Sequence, residues 1–194
     1  MQITATSREN ASVVQVSHGA SHACAVFANG RLYCWGKDTQ GQRLSGLQQD
    51  LSGDIAPSSA WAPVALEMKV KQIAAGGGVS CAVGTGGNGD VVKCWGYDGR
   101  TGALGQPDLT AVSTNHIGDT AEEVSGLLPI NLGTDAVPRV VATSGFHTCA
   151  ILTNGGLKCW GDNSSGQLGI GTDDSPVGNY FGEMGDSLNY TSID

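Results

Sequence analysis

Three segments of the chain each carry two cysteines: Cys24 and Cys34, Cys81 and Cys94, Cys149 and Cys159. The second of each pair opens a Cys-Trp-Gly triplet. His22 and His147 stand two residues before a cysteine, so on an extended strand imidazole and thiol share one face. Such a set could ligate zinc, activate a thiol nucleophile or close disulfides. Zinc is disfavoured, because there is no Cys-x-x-Cys and the second segment has Val79 where the others have histidine. No motif surrounds a nucleophile. The glycine runs at 76–78 and 166–171 lack the Gly-x-Gly-x-x-Gly order that cradles phosphate. No catalytic residue, cofactor or metal is expected, and the chain reads as a non-enzyme.

The elements that carry the cysteines are hairpins. Thr153-Asn154-Gly155 separates two short runs of small, apolar and β-branched residues, a strong hairpin signal. Opposed positions in an antiparallel pair have a constant sum of residue numbers. Cys149 and Cys159 centre the turn on Asn154, and Cys24 and Cys34 centre it on Asn29. Each centre implies a three-residue loop with glycine (Gly155, Gly30) where a type I turn with a G1 bulge needs positive φ. The second segment requires an even-numbered loop at 86–89, because Cys81 and Cys94 have no residue at their midpoint. Opposed cysteines lie about 4.5–5.5 Å apart at Cα, within reach of a disulfide. Small buried hydrophobes facing each other are the alternative; six cysteines in three facing pairs favour bridges. Bridges imply an oxidising compartment, so an extracellular or secretory location is expected. Sequons at Asn10, Asn163 and Asn189 are compatible with it. The first ten residues do not read as a signal peptide, and no apolar run is long enough to cross a membrane.

The hairpins repeat. Aligning Trp35, Trp95 and Trp160, each followed by glycine (Gly36, Gly96, Gly161), gives spacings of 60 and 65 residues. Short strands are expected at 13–17, 63–66, 70–75, 127–132, 138–143 and 188–193, beside hairpins at 21–35, 80–95 and 147–160. Long polar connections at 36–62, 96–126 and 161–187 separate them, with a short helix at 119–127. The repeats run approximately 12–62, 63–126 and 127–187, with 188–194 opening another. Four antiparallel strands per unit is the arithmetic of a propeller blade, whereas straight solenoids use shorter units. Thirty glycines in 194 residues, with 40% hydrophobic content, suit many short strands and turns.

The order Gly-x-x-His-(Thr/Ala)-Cys-Ala, then Cys-Trp-Gly-x-(Asn/Asp)-x-x-Gly-Gln-Leu-Gly, resembles the repeat of the regulator-of-chromosome-condensation (RCC1-like) family. The third copy, 147–169, matches best; the first lacks Leu-Gly after Gln42, and the second keeps Ala103-Leu104-Gly105. The paired cysteines look like the Cys-Trp-Gly subset of that family. The resemblance implies an all-β partial β-propeller of four-stranded blades: three blades plus the first strand of a fourth. Trp35, Trp95 and Trp160 then become equivalent inter-blade positions rather than a light-absorbing array. The Gly-Trp-Arg-His-type motif of the family's UV-B receptors is replaced here at Gly145-Phe146-His147 and Gly19-Ala20-Ser21-His22. Functionally the resemblance implies a scaffold for a protein partner. The alternatives are guanine-nucleotide exchange on a small GTPase, the prototype's activity, and inhibition of a secreted enzyme.

Charge points the same way. The three connections hold 13 acidic and three basic residues, net 3 − 13 = −10, against −8 for the chain. Equivalent loops of a propeller share a rim, so one face should be acidic and should attract a basic partner. Nucleic acid, which needs a basic footprint, is excluded as the expected partner. Asp173, Asp174, Glu183 and Asp186 are the candidate interaction rim.

Overall fold

Each Cys-Trp-Gly segment folds as an antiparallel meander, in a computed structural model whose described residues are 12–47, 62–106, 115–173 and 176–192. Strands β1 (Val13–His18), β2 (His22–Phe27) and β3 (Leu32–Gly36) form the first sheet. The second comprises β4 (Lys69–Gly76), β5 (Val79–Gly86), β6 (Gly89–Tyr97) and the two-residue β7 (His116–Ile117). The third comprises β8 (Pro138–Thr143), β9 (His147–Leu152) and β10 (Leu157–Gly161). The three sheets are blades of a partial propeller; outer edge segments give the first and third a fourth member, and in the second such a segment shares the outer side of β6 with β7.

The hairpin registers follow from the turn residues. Cys24 faces Cys34, Cys81 faces Cys94 and Cys149 faces Cys159. All three pairs are disulfides, with Cα separations of 4.1, 4.1 and 4.0 Å. Gly30 and Gly155 close three-residue loops at φ of +83° and +87°, and Asn29 and Asn154 accept the amide two residues on. In the second hairpin Gly86 pairs with Gly89, so Gly87 and Asn88 alone form the tip.

The segments at 63–66, 127–132 and 188–192, expected as leading strands of the next repeat, belong to the sheet before. Val64 donates its N–H to Leu32 in β3, Ile130 to Val92 in β6, and Thr191 to Leu157 in β10. Tyr190 also bridges Lys158. Each segment is therefore the outer edge of its sheet, and 188–192 covers β10 instead of starting a fourth blade. Their bonding is too sparse for a regular strand. Pro63 and Pro129 lack the N–H that would extend the ladder, and buried Leu66, Leu132 and Leu188 anchor the segments by packing.

The one α-helix among the described residues, α1 (Ala121–Gly126), falls within the stretch expected for it. The Thr120 hydroxyl accepts from the Glu123 amide, and the Glu123 carboxylate reaches back to two amides before the helix, a variant of the capping box. The core runs continuously between the sheets through Ile73, Val79, Val92, Trp95, Val141 and Trp160. No helix among the described residues is long and apolar enough to cross a membrane.

Candidate interaction surface

Past each Cys-Trp-Gly the backbone turns sharply, and the triplet's glycine makes the turn possible. Gly36, Gly96 and Gly161 have φ of +97°, +100° and +112°. A Cβ on Gly96 would lie 2.2 Å from the Gly78 carbonyl oxygen. Two residues later Asp38, Asp98 and Asn163 stand at one repeat position, all buried. They accept the amides of Arg43, Leu104 and Leu168 at 2.8, 3.0 and 3.0 Å, stapling each loop into a tight arch. The Ser45 hydroxyl also donates to Asp38, and the Asn163 amide donates to the Thr172 carbonyl at 2.8 Å. Burial pushes the carboxyls of Asp38 and Asp98 above the ordinary range, against the donors that favour the carboxylate.

The arch delivers a carbonyl to the neighbouring blade. Trp95 and Ser80 donate to the Gln42 carbonyl at 3.0 and 3.2 Å. Trp160 and Thr148 donate to the Ala103 carbonyl at 3.0 and 2.9 Å. Trp95 and Trp160 are fully buried and sit between blades; Trp35, in the first sheet, is half-buried. Loop glycines permit this approach. A Cβ on Gly41 would lie 2.3 Å from the Ile117 carbonyl oxygen, and one on Gly102 would lie 2.6 Å from that of Val177. At the first junction His22 Nε2 lies 2.8 Å from Ser80 Oγ. Because Ser80 donates onward to Gln42, His22 must donate from Nε2, which leaves Nδ1 buried without a partner. Burial, with His18 adding to it, lowers the His22 pKa from 6.5 to about 4.

A second staple shapes the outer loops. Glu123 accepts from the amides of Gly118 and Asp119. Sixty residues on, Glu183 accepts from Gly178, Asn179 and Tyr180 at 2.9, 3.1 and 2.9 Å. The latter arch displays Tyr180 and Phe181, 60% and 80% exposed. Asp186 accepts from the amide and hydroxyl of Thr134, which holds its carboxyl below the ordinary range.

The loops are thus less outwardly acidic than their composition implies. Asp50, Asp54, Asp108 and Asp174 lie outside the described residues. Of the other nine loop carboxylates, Asp38, Asp98 and Asp119 are buried, and Glu123 and Glu183 are spent on backbone amides. Asp162 is held by Ser164 and Gln167. Glu122, Asp173 and Asp186 remain exposed. Within the candidate rim Asp173 faces solvent, Glu183 is structural, and Asp186 is shared with Thr134. Composition alone cannot separate a carboxylate that faces water from one that caps amides. The Gly-(Asp/Asn)-x-x-x-Glu spacing common to 118–123 and 178–183 was the readable signal. No group of three or more His, Cys, Asp or Glu side chains among the described residues could hold a metal ion.

The model of the regulator of chromosome condensation (RCC1) repeat matches residues 13–42 and 139–167. The ultraviolet-B receptor UVR8 of Arabidopsis thaliana is 27% identical over 91% of the chain and 35% of its own length. The human probable E3 ubiquitin-protein ligase HERC3 is 29% identical over 81% of the chain and 13% of its own length. The chain thus spans about a third or less of these relatives. Yeast RCC1 (Prp20), in its complex with Kap60, superposes with a TM-score of 0.64 at 19% identity, over 95% of the chain and 36% of that structure. Human WBSCR16 gives 0.61 at 24%, over 93% and 40%. Prp20p from Saccharomyces cerevisiae, studied with Gsp1p and histones, gives 0.61 at 22%, over 93% and 38%.

Proposed function

This chain is an RCC1-like repeat protein, and from that premise we propose that it is a non-enzymatic scaffold that holds a protein partner through its long loops. The observation that carries this reading is the arch at 178–183. Glu183 fixes three successive amides, so Tyr180 and Phe181 project from a rigid backbone rather than a loose one. Exposed aromatics on a pre-ordered loop lose little entropy on binding and are the residue types that dominate interface energetics. Exposed Asp173 and Asp186 occupy the same connection, which favours a partner with a basic rim around an apolar pocket. The partners of yeast Prp20 belong to that protein, and at 19–22% identity its likeness supports the fold alone.

A photo-crosslinking residue at position 181 would capture the partner. Y180S/F181S should then weaken that complex at least tenfold while leaving thermal unfolding unchanged. Equal affinity of the double variant would overturn the reading.

A further inference from the structure

All three hairpins turn on the same dipeptide, Asn29-Gly30, Asn88-Gly89 and Asn154-Gly155. Asparagine before glycine carries a latent reaction. The glycine nitrogen can attack the side-chain carboxamide carbon, because no Cβ on the following residue blocks the approach. Attack requires the carboxamide to swing back over the main chain. Whatever holds that group, or fixes the backbone beside it, slows the reaction.

The three tips differ in this respect. All three asparagines are exposed, so access to water does not separate them. Asn29 Oδ1 accepts the Arg31 amide at 3.0 Å, and Asn154 Oδ1 accepts the Gly156 amide at 2.9 Å. Each carboxamide is thereby pinned forward along the chain, as short polar side chains in turns often are. Their surroundings add to the hold. A Cβ on Gly30 would lie 2.3 Å from Lys69 Cγ, and one on Gly156 would lie 2.5 Å from Tyr190 Cε1. The Asn88 carboxamide, by contrast, has no hydrogen-bond partner among the described residues. Its tip is the two-residue one, flanked by Gly86, Gly87 and Gly89. Cβ atoms on Gly87 and Gly89 would meet nothing within 4 Å. Three glycines in open space give the backbone around Asn88 the widest choice of φ and ψ.

We propose that Asn88 is a site of spontaneous modification, converting to aspartyl and isoaspartyl residues while Asn29 and Asn154 persist. The Gly89 nitrogen gives its proton to water and bonds to Asn88 Cγ. The Cγ–Nδ2 bond breaks, and Nδ2 leaves as ammonia with a proton taken from water. Water then opens the resulting cyclic imide at either of its carbonyls. One route restores the main chain beside an aspartate; the other carries the main chain through the former side chain as isoaspartate. The sum is carboxamide plus water to carboxylate plus ammonium, with nothing oxidised or reduced. Both products place a charge two residues from Asp90, which holds Lys71 Nζ and the Thr85 hydroxyl at 2.7 Å. Isoaspartate also lengthens the tip by a methylene, which strains the Gly86–Gly89 pairing. The site is independent of the aromatic arch.

The test ages the native, disulfide-intact chain at neutral pH and follows peptides from the three tips by tandem mass spectrometry. Asn88 should be lost at least tenfold faster than Asn29 or Asn154. The aged chain should accept methyl groups from S-adenosylmethionine in the presence of an isoaspartyl methyltransferase, and N88Q should abolish that labelling. The reduced, denatured chain separates fold from sequence, because there all three Asn-Gly pairs should react at similar rates. Comparable loss at the three tips of the folded chain overturns the proposal. So does labelling that survives N88Q, or an equal preference for Asn88 in the denatured chain.

Discussion

The Gln42 carbonyl accepts the indole N–H of Trp95 across the junction of the first two sheets, from a residue 53 positions away. Ser80 shares the same acceptor, and Trp160 and Thr148 repeat the arrangement on Ala103. The tryptophans of the second and third Cys-Trp-Gly are therefore fasteners between blades.

Trp95→Phe removes the indole donor and part of a fully buried ring, leaving Gln42 with Ser80 alone. We expect a loss of about 1–3 kcal/mol, combining an unmade hydrogen bond with a small cavity. The midpoint of chemical denaturation measures it. A shift below about 0.5 kcal/mol would assign the indole N–H no role at the junction.

His22 makes stability depend on pH. Its folded pKa of about 4 lies below the ordinary 6.5, so between these values the unfolded chain binds more protons than the folded one. The contribution is complete above pH 6.5, is lost as pH falls toward 4, and does not change further below that. The loss approaches about 3 kcal/mol for a shift of this size. Asp38 and Asp98, whose carboxyls are raised, act in the opposite sense. The native profile should accordingly be compared with that of H22Q. The difference between the two curves should slope only across pH 4–6.5, and parallel curves would contradict this reading.

The loop staples tolerate a neutral amide in the third repeat, where Asn163 replaces aspartate. Asp98→Asn retains the acceptor for Leu104 and should cost less than about 1 kcal/mol. Asp98→Ala strands buried amides and should cost about 2 kcal/mol. Thermal melts of the two variants at neutral pH distinguish a staple from a charge. Equal destabilisation would show that the charge matters instead.

Each disulfide closes a hairpin of 10 or 13 residues' separation. Replacing Cys81 and Cys94 together by alanine should cost about 2–3 kcal/mol, the range for loops this short. The same hairpin should still form, because its register is also set by the Gly87-Asn88 tip. Hydrogen exchange across β5 and β6 follows both effects, and loss of all protection there would show that the bridge alone specifies the register.

Hairpins and cysteine pairing were legible because two independent signals, Asn-Gly turns and cysteine spacing, had to agree on one register. Inter-blade positions for Trp95 and Trp160 were legible through their repetition together with the resemblance to a propeller repeat. The outer edge segments were misplaced by one sheet, because apolar runs at 63–66, 127–132 and 188–193 look the same whichever β-strand they pair with. The acidic rim was overestimated for a related reason. Asp38, Asp98, Glu123 and Glu183 carry a formal charge in sequence, yet their oxygens are committed to backbone amides. The amides with which Gln15 and Gln72 clamp the backbone of Ile73 and Val141 in the next sheet were invisible until β-bulges aimed them there.

Because Leu32 of β3 receives Val64, the first long connection leaves a strand and comes back to that same strand. The second returns in the same way to Val92 and the third to Leu157. Each excursion is a closed handle, so its length is decoupled from the angle between blades. Doubling such a loop adds only about 0.6 kcal/mol of closure entropy. Foreign peptides grafted into the handles should leave the register of the three sheets fixed.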